Sequence, residues 1–207
     1  MTTAVDTPKP RLAALILAAG ESARFGGRKQ LALIDGKPMI RHAIDTLNTT
    51  KAMETFVVLG AFADEITPAI GPDAHIIRNE NWATGMGSSI ACAMSAIADN
   101  GRYGGGRYDG VLIALCDQVK LTVGDYTKLI AGFDQKHILA TRHKNGLGVP
   151  AIFPSHMFKT LQTLSGASGA REMLNGSNHD VIGIDLPNAA LDIDTLDDLK
   201  TLHRQTG

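Results

Sequence analysis

The 207-residue chain is 44% hydrophobic, and its 20 basic and 21 acidic residues give a formal net charge of −1. This length and apolar content suit one folding unit with a sizeable core rather than two domains. The charge balance excludes the long-range positive field that draws proteins to nucleic acid or anionic membranes. We therefore expect no nucleic acid and no membrane as partner, and a local site for any bound anion.

The predicted elements alternate between strands and helices. In chain order they are a strand at 12–18, a helix at 38–47, a strand at 55–59, a helix ending at 70, a strand at 75–77, a helix at 86–97, a strand at 111–115, a helix at 126–133, strands at 138–141 and 149–153, a helix at 154–164, a strand at 181–184 and a helix at 195–203. Continuous apolar runs such as 12–18 suit strands buried on both faces. The pattern predicts an α/β fold with a mostly parallel sheet and helices on both faces.

The segments outside these elements bear on the compartment. Residues 1–10 are polar, which predicts a flexible tail before a single domain over 11–207, with no secretory signal. The Gly- and Arg-rich segment 101–110 predicts a surface loop. Cys92 and Cys116 are too few for a disulfide framework or a four-ligand zinc site, so we expect a cytoplasmic protein.

A basic, glycine-rich segment at 18–29 follows the first strand. Ligands collect at the carboxyl ends of strands in open parallel sheets. The glycines let backbone N–H groups approach a ligand, two small alanines leave room for a flat base, and Arg24, Arg28 and Lys29 supply positive charge. The segment fits a triphosphate, although it matches neither the Gly-Lys-Ser/Thr phosphate loop nor the dinucleotide fingerprint. An ordinary solvated loop is the alternative.

The string Leu17-Ala18-Ala19-Gly20-x-Ser22-x-Arg24-Phe25-Gly26, followed by Lys29, resembles the signature loop of the MobA-like NTP transferases, which include the molybdenum cofactor cytidylyltransferases. The resemblance implies a three-layer α/β/α, Rossmann-like nucleotidyltransferase fold in which this loop wraps the donor triphosphate. The implied nucleotide-binding residues here are Leu17, Ala18, Ala19, Gly20, Ser22, Arg24 and Lys29. Guanylyl-transferring relatives carry Leu-Ala-Gly-Gly, so Leu-Ala-Ala-Gly favours CTP and leaves GTP open.

Two aspartates are candidate metal ligands. A triphosphate donor needs a divalent cation, and Mg²⁺ binds one or two carboxylates plus phosphate oxygens. Asp117, which ends the strand at 111–115, resembles the family's metal-binding aspartate, although Val119 replaces the usual proline and a turn-forming role is the alternative. Asp194 lies in a segment that resembles Asp-Ile-Asp-Thr-Pro-Glu-Asp. Alternatively, Asp194 or Thr195 caps the last helix.

Three further segments resemble the family. Gly87 and Ser89 open the third helix, where the resemblance implies a contact to the nucleotide; a helix cap by Ser88 is the alternative. Gly148 and Pro150 belong to a segment that resembles the family's Gly-x-Pro-x-x-Phe element, and the resemblance implies that they face the acceptor. Residues 165–171 resemble Gly-Asp-x-Gly-Ala-Arg, with Ala167 in place of the acid. Arg171 at its end could bind an acceptor phosphate or pair with Glu172 or Asp180 on the surface.

The resemblance across these segments implies a Mg²⁺-dependent enzyme that transfers CMP from CTP to molybdopterin and releases pyrophosphate, with Arg24, Lys29 and Asp117 as catalytic residues. The resemblance implies hand-over of the product to a molybdoenzyme or its maturation chaperone. The alternatives are the same chemistry on a sugar phosphate or another phosphorylated acceptor, and a non-catalytic nucleotide-binding module. A nicotinamide-dependent oxidoreductase ranks last because the dinucleotide fingerprint is missing from the sequence.

Overall fold

The computed structural model describes residues 9–50, 53–98, 108–167 and 169–206. The strands are β1 (Leu12–Leu17), β2 (Leu33–Ile34), β3 (Lys37–Pro38), β4 (Met53–Leu59), β5 (His75–Arg78), β6 (Gly110–Leu115), β7 (Ile138–His143), β8 (Gly146–Pro154) and β9 (Val181–Ile184). The helices are α1 (Met39–Thr49), α2 (Ala63–Ile70), α3 (Met86–Ala98), α4 (Val123–Ala131), α5 (Phe158–Gln162), α6 (Arg171–Asn175) and α7 (Leu196–Thr206).

Two sequence predictions fall largely on residues outside this description. Residues 1–8 of the predicted tail and 101–107 of the predicted loop lie outside the described residues. The end of that loop was predicted too far along the chain, because Tyr108 is buried and Gly110 already begins β6.

Seven strands form one sheet in the order β5-β4-β1-β6-β8-β7-β9. β1 pairs in parallel with β4 and β6, and β7 pairs in parallel with β9. β8 runs antiparallel to β7, because only two residues connect the two strands in a tight hairpin. It also pairs antiparallel with β6. The prediction of a mostly parallel sheet is confirmed.

Helices cover both faces of this sheet. Side chains alternate between the faces of a strand, so Ala13, Leu15 and Leu17 of β1 pack with α3, α5 and α6, whereas Leu12, Ala14 and Ile16 pack with α1, α2 and α4. Each fully buried Leu or Ile contributes roughly 1.5–3 kcal/mol of transfer free energy. An uninterrupted apolar strand is therefore stable only between two layers of helices, and the predicted three-layer α/β/α fold is confirmed.

Several element boundaries differ from the sequence-based predictions. The helix predicted at 154–164 is a 3-10 turn, Ser155–Met157, followed by the short α5, because Pro154 still belongs to β8. The strand predicted from 149 begins at Gly146, where it continues the hairpin from β7. None of the helices in the described ranges combines the length and apolar content needed to cross a bilayer.

The sheet brings two candidate segments together at one edge. Leu17, the last residue of β1, is paired in register with Leu115, the last residue of β6. Because the two strands are parallel, the segment at 18–29 and Asp117 leave the sheet side by side. The candidate site lies at this edge.

Candidate active site

The segment 18–29 forms a compact loop with an unusual backbone. Ser22 and Arg28 adopt left-handed conformations, with φ of 54° and 40°, and Gly26 and Gly27 have φ of 91° and 99°. Left-handed conformations are costly for residues with a Cβ atom, so surrounding contacts must hold them. The contacts include backbone hydrogen bonds from the N–H groups of Gly26 and Gly27 to Ala23 and Ser22, each 3.1 Å long.

Gln30 fixes the start of this loop, which we call the donor loop (residues 18–29). Its side chain is almost fully buried, and Nε2 donates to the carbonyl oxygens of Ala18, at 3.0 Å, and Gly20, at 3.1 Å. Sequence reasoning missed Gln30, because one amide in a polar segment carries no signal of its own. The same contacts leave Ala18 and Ala19 buried and Gly20 exposed.

Phe25 anchors the other end of the donor loop. Its ring is buried in a small apolar cluster that lies between the β2–β3 hairpin and α7, together with Ile34, Met39, Ile193 and Leu202. The aromatic residue of the sequence motif is thus a packing residue. It ties the donor loop to the segment that carries Asp194.

Lys29 brings the two candidate metal ligands together. Its Nζ lies 2.5 Å from Oδ2 of Asp117 and 3.3 Å from Oδ1 of Asp194. Arg24 approaches the carboxylate of Asp194 from solvent, with 3.0 Å between its guanidinium and Oδ2. The side chains of Lys29 and Asp117 are each only 12% exposed, whereas that of Arg24 is 76% exposed. We call these four residues the charged cluster.

Burial and charge act in opposite directions on Lys29. Burial disfavours the ammonium, but the adjacent carboxylate of Asp117, assisted by Asp194, outweighs it and raises the pKa of Lys29. The neighbouring thiol behaves differently, because burial raises the pKa of Cys116 to about 12. Lys29 therefore remains a cation and Cys116 a neutral thiol near neutral pH.

Arg28 does not join the charged cluster, contrary to the expectation that all three basic residues of the loop face one ligand. Its guanidinium forms an ion pair with Glu65 and lies 4.8 Å from the centre of the Phe62 ring. The hydrogen bond and the charge of Glu65 raise the pKa of Arg28 further. Arg28 thus fastens the donor loop to α2, which leaves Arg24 and Lys29 as the cations at the sheet edge.

The side chain of Asp194 does not cap α7. Thr195 and Asp198 form a reciprocal capping box at the start of α7: Asp198 N donates to Oγ1 of Thr195, and Thr195 N donates to Oδ2 of Asp198. Thr195 is therefore the cap of α7. The side chain of Asp194 is left to pair with Lys29 and Arg24.

Gly87 and Ser89 lie in the first turn of α3, in a tightly packed environment. α3 begins at Met86, so Ser88 lies inside the first turn and is not its cap. Asn79 donates to both hydroxyls, at 3.0 Å to Ser88 and 3.1 Å to Ser89, which is buried. A Cβ atom on Gly87 would lie 2.5 Å from the carbonyl oxygen of Ser165. This contact accounts for the glycine, and nucleotide contacts of both residues stay predictions.

A cavity of about 410 Å³ opens next to the charged cluster. Its walls are Leu17, Met86, Ile90, Ile113, Leu115, Gln118, His143, Asn145, Gly146, Leu147, Gly148, Val149, Ala167, Ala170, Arg171, Leu174 and Asp192. It therefore joins the ends of β1 and β6 to the β7–β8 hairpin and the start of α6. We call it the side cavity.

The side cavity includes two of the three predicted acceptor residues. Gly148 lies against the ring of His143, and a Cβ atom there would come within 2.9 Å of it. Arg171 is exposed and forms no ion pair within the described ranges, so the surface pair with Glu172 or Asp180 is not made. Pro150 is buried behind the wall, and its carbonyl accepts a hydrogen bond from Thr141 at 2.8 Å. Ser168 lies outside the described residues.

Asp192 links the side cavity to the charged cluster. It lines the cavity. Burial raises the pKa of its carboxyl most, and the negative charges of Asp117 and Asp194 raise it further. The three carboxylates are thus close enough to interact. Asp192 is the first aspartate of the segment that resembles Asp-Ile-Asp-Thr-Pro-Glu-Asp.

The donor set suits a hard divalent cation shared with a substrate. No group of three or more His, Cys, Asp or Glu side chains that could hold a metal ion occurs among the described residues. Two carboxylates converge on one cation, Lys29, and the buried Oδ1 of Asp117 has no hydrogen-bond partner. Mg²⁺ typically takes one or two carboxylates and completes its octahedron with phosphate oxygens and water. The residues present fit such an ion.

Comparison with curated proteins gives partial matches. The chain is 27% identical over 135 residues to the bifunctional protein GlmU of Shouchella clausii, covering 64% of this chain and 26% of that protein. It is 44% identical over 45 residues to a probable molybdenum cofactor guanylyltransferase of Thermococcus sibiricus, covering 22% of this chain and 23% of that protein. The chain spans about a quarter of the length of these curated relatives.

Solved structures match over nearly the whole chain. A homologue of Mycobacterium tuberculosis Rv0371c from Mycobacterium sp. strain JC1 superposes with a TM-score of 0.78 at 25% identity, covering 94% of this chain and 96% of that one. Rv0371c itself, solved in complex with manganese, superposes with a TM-score of 0.75 at 22% identity, covering 93% and 97%. The model of the MobA-like NTP transferase domain matches residues 14–181. The chain belongs to the MobA-like NTP transferase family.

Proposed function

We propose that the protein transfers CMP from CTP to molybdopterin and releases pyrophosphate. One observation carries the proposal: a charged cluster suited to a triphosphate and a metal ion lies directly beside a mostly apolar side cavity. The donor loop and charged cluster would take the nucleotide, and the side cavity would take the acceptor. In this proposal the enzyme is cytoplasmic, and a molybdoenzyme or its maturation chaperone receives the product.

The donor half rests on the donor loop. Gly20 is exposed and Ser22 is half-buried, so this part of the loop is accessible to a nucleotide. The side chain of Arg24 is mostly exposed and reaches the site from solvent, whereas Lys29 approaches from within the protein. Together they supply two positive charges for the β- and γ-phosphates. The Leu-Ala-Ala-Gly sequence favours cytosine over guanine.

The reaction is an in-line displacement at the α-phosphorus. An oxygen of the acceptor phosphate forms the new bond to phosphorus, the bond to the β-phosphate oxygen breaks, and pyrophosphate leaves with the electron pair. A phosphate nucleophile is already anionic near neutral pH, so no general base is needed. Lys29 and Arg24 hold the leaving group in line and stabilise the charge that develops on it.

Asp117 and Asp194 would hold Mg²⁺, with Asp117 the more enclosed of the two. When bound, the ion neutralises charge on the phosphate oxygens. Support comes from the unpartnered Oδ1 of Asp117 and from the solved manganese complex of a protein with the same fold.

The acceptor half rests on the composition of the side cavity. Ten of its seventeen wall residues carry apolar side chains: Leu17, Met86, Ile90, Ile113, Leu115, Leu147, Val149, Ala167, Ala170 and Leu174. A sugar phosphate would bury several hydroxyls, and each would need a hydrogen-bond partner. A pterin presents flat faces to such walls and polar edges to a few groups, such as Asn145 and Asp192. Arg171, which lines the cavity, would bind an acceptor phosphate.

The partial match to a molybdenum cofactor guanylyltransferase supports the acceptor and keeps GTP as the main competitor for the donor. Pyrophosphate release should therefore be measured with Mg²⁺ and each of CTP, GTP, ATP and UTP, with and without molybdopterin. The comparison is between wild type, Asp117→Asn and a control, Asp73→Asn, which alters a surface ion pair with Arg41.

We expect release only with CTP and molybdopterin, loss in Asp117→Asn and wild-type activity in the control. Release driven by a sugar phosphate instead would replace the acceptor assignment. Tight CTP binding without release under every condition would favour a non-catalytic nucleotide-binding module.

A further inference from the structure

Lys29 stands where the proposed function needs a metal ion. Its ammonium bonds Asp117 at 2.5 Å and Asp194 at 3.3 Å, the same two carboxylates that would bind Mg²⁺. Lys29 and Asp117 are each only 12% exposed, so water screens this contact weakly. A cation tethered to the donor loop thus already balances the charge of both carboxylates.

A free divalent cation could not simply join this arrangement. It would place two further positive charges beside a largely buried ammonium, and the repulsion at that distance is strong. The metal ion must therefore displace Lys29, and the displaced ammonium must then find another anion or be solvated. Within the described residues, the remaining nearby carboxylate is Asp192, which lines the side cavity.

A triphosphate supplies what the displaced lysine lacks. The flexible four-carbon stem of Lys29 lets its ammonium move to phosphate oxygens, while those oxygens also complete the coordination of the incoming metal ion. The exchange keeps every charge paired: Lys29 passes from carboxylates to phosphates, and the carboxylates pass from Lys29 to the metal ion.

We propose that Lys29 is a tethered counter-ion that blocks the metal site until a nucleoside triphosphate arrives, so that the divalent cation binds together with the nucleotide. This inference rests on the proposed metal-dependent function and adds an order of binding to it. It gives Lys29 two successive partners. By thermodynamic reciprocity, the metal ion strengthens triphosphate binding by the same factor that the triphosphate strengthens metal binding.

The test measures Mn²⁺ binding by electron paramagnetic resonance, at pH 8, with and without the unreactive analogue α,β-methylene-CTP. The proteins are wild type, Lys29→Gln, and Lys37→Gln as matched control, since Lys37 also pairs with a carboxylate, that of Asp45 at 2.6 Å. Without the analogue, we expect Lys29→Gln to bind Mn²⁺ at least about tenfold more tightly than wild type. The control should match wild type.

Two further measurements, of thermal unfolding and of Mn²⁺ binding with the analogue, do not depend on catalysis. Mn²⁺ alone should raise the thermal unfolding midpoint of Lys29→Gln more than that of wild type, because it replaces the lost partner of Asp117. The analogue should tighten Mn²⁺ binding strongly in wild type and less in Lys29→Gln.

Two results would overturn the inference while the metal-dependent function stands. One is that Lys29→Gln binds Mn²⁺ alone no more tightly than wild type. The other is that wild type binds Mn²⁺ equally well with and without the analogue. This second result can be obtained even if Lys29→Gln does not fold, because it needs only the wild-type protein. If no protein binds Mn²⁺ even with the analogue, the proposed metal dependence fails and the inference fails with it.

Discussion

Gln30 holds the donor loop through one amide group, and replacing it with glutamate changes the chemistry while keeping the shape. In wild type, Nε2 donates to two carbonyl oxygens, those of Ala18 and Gly20, at 3.0 and 3.1 Å. A carboxylate can only accept hydrogen bonds. In Gln30→Glu, either both contacts become repulsive or the introduced carboxyl takes up a proton and restores one of them.

The cost can be worked out from this geometry. A protonated carboxyl loses one hydrogen bond, about 1 kcal/mol, and must hold its proton above the ordinary glutamate pKa of about 4.3, at about 1.36 kcal/mol per pH unit. At pH 5 these amounts give a destabilisation of about 2 kcal/mol. At pH 8 they would give about 6 kcal/mol, so the ionised form, at about 3–5 kcal/mol for an unpaired buried charge, is less unfavourable and sets the loss. Burial raises the folded-state pKa of this carboxyl, so the loss grows as pH rises from its unfolded toward its folded pKa.

Urea unfolding at pH 5, 6, 7 and 8 measures this difference between wild type and Gln30→Glu. The matched control is Gln162→Glu, because Gln162 is only partly buried and its single long hydrogen bond to Met94 O measures 3.4 Å. The control should lose little stability at any of the four pH values. Equal stability of Gln30→Glu and wild type at pH 8, or a loss that does not change with pH, would refute the role given to Gln30.

Three further predictions concern other parts of the fold. In Gly87→Ala, the added methyl group meets Ser165 O, so urea unfolding should report a loss of about 1–3 kcal/mol; unchanged stability would contradict this packing. Arg171→Ala should raise KM for the acceptor roughly 10–100-fold and leave KM for CTP unchanged in steady-state kinetics, whereas a change in KM for CTP alone would place Arg171 in the donor site. The pKa of Asp125 is lowered because its hydrogen bonds with Asn188 and Thr122 outweigh its burial, so its contribution to stability is present above its unfolded pKa and lost as pH falls. Asp125→Asn should therefore be less stable than wild type at pH 7 and approach it at pH 3, and a constant difference in urea unfolding would argue against this.

The sequence allows the sheet and its site edge to be predicted because the signals are local. The continuous apolar run of β1 requires cover on both faces, and the residues after β1 and β6 must emerge at one edge of a parallel sheet. These two facts place the donor loop beside Asp117. The second half was predicted less well because its elements are short: α6 has five residues, and α5 is preceded by a 3-10 turn.

Contacts between distant segments left no such signal. Arg28 looks like its neighbours in the donor loop, but it pairs with Glu65, 37 residues away. The capping of α7 by Thr195, which frees Asp194, depends on a choice between adjacent residues that both cap well. Asp192 faces the side cavity only because its segment returns to the sheet edge from the far end of the chain.

Mass analysis of the product shows whether the protein joins CMP to molybdopterin. Protein, CTP, Mg²⁺ and molybdopterin are incubated together, and the acceptor is then recovered and weighed by mass spectrometry. We expect an acceptor heavier by one CMP unit, formed with wild type and not with Asp117→Asn. Unmodified molybdopterin, recovered from a wild-type protein that does join CMP to a sugar phosphate, would contradict it.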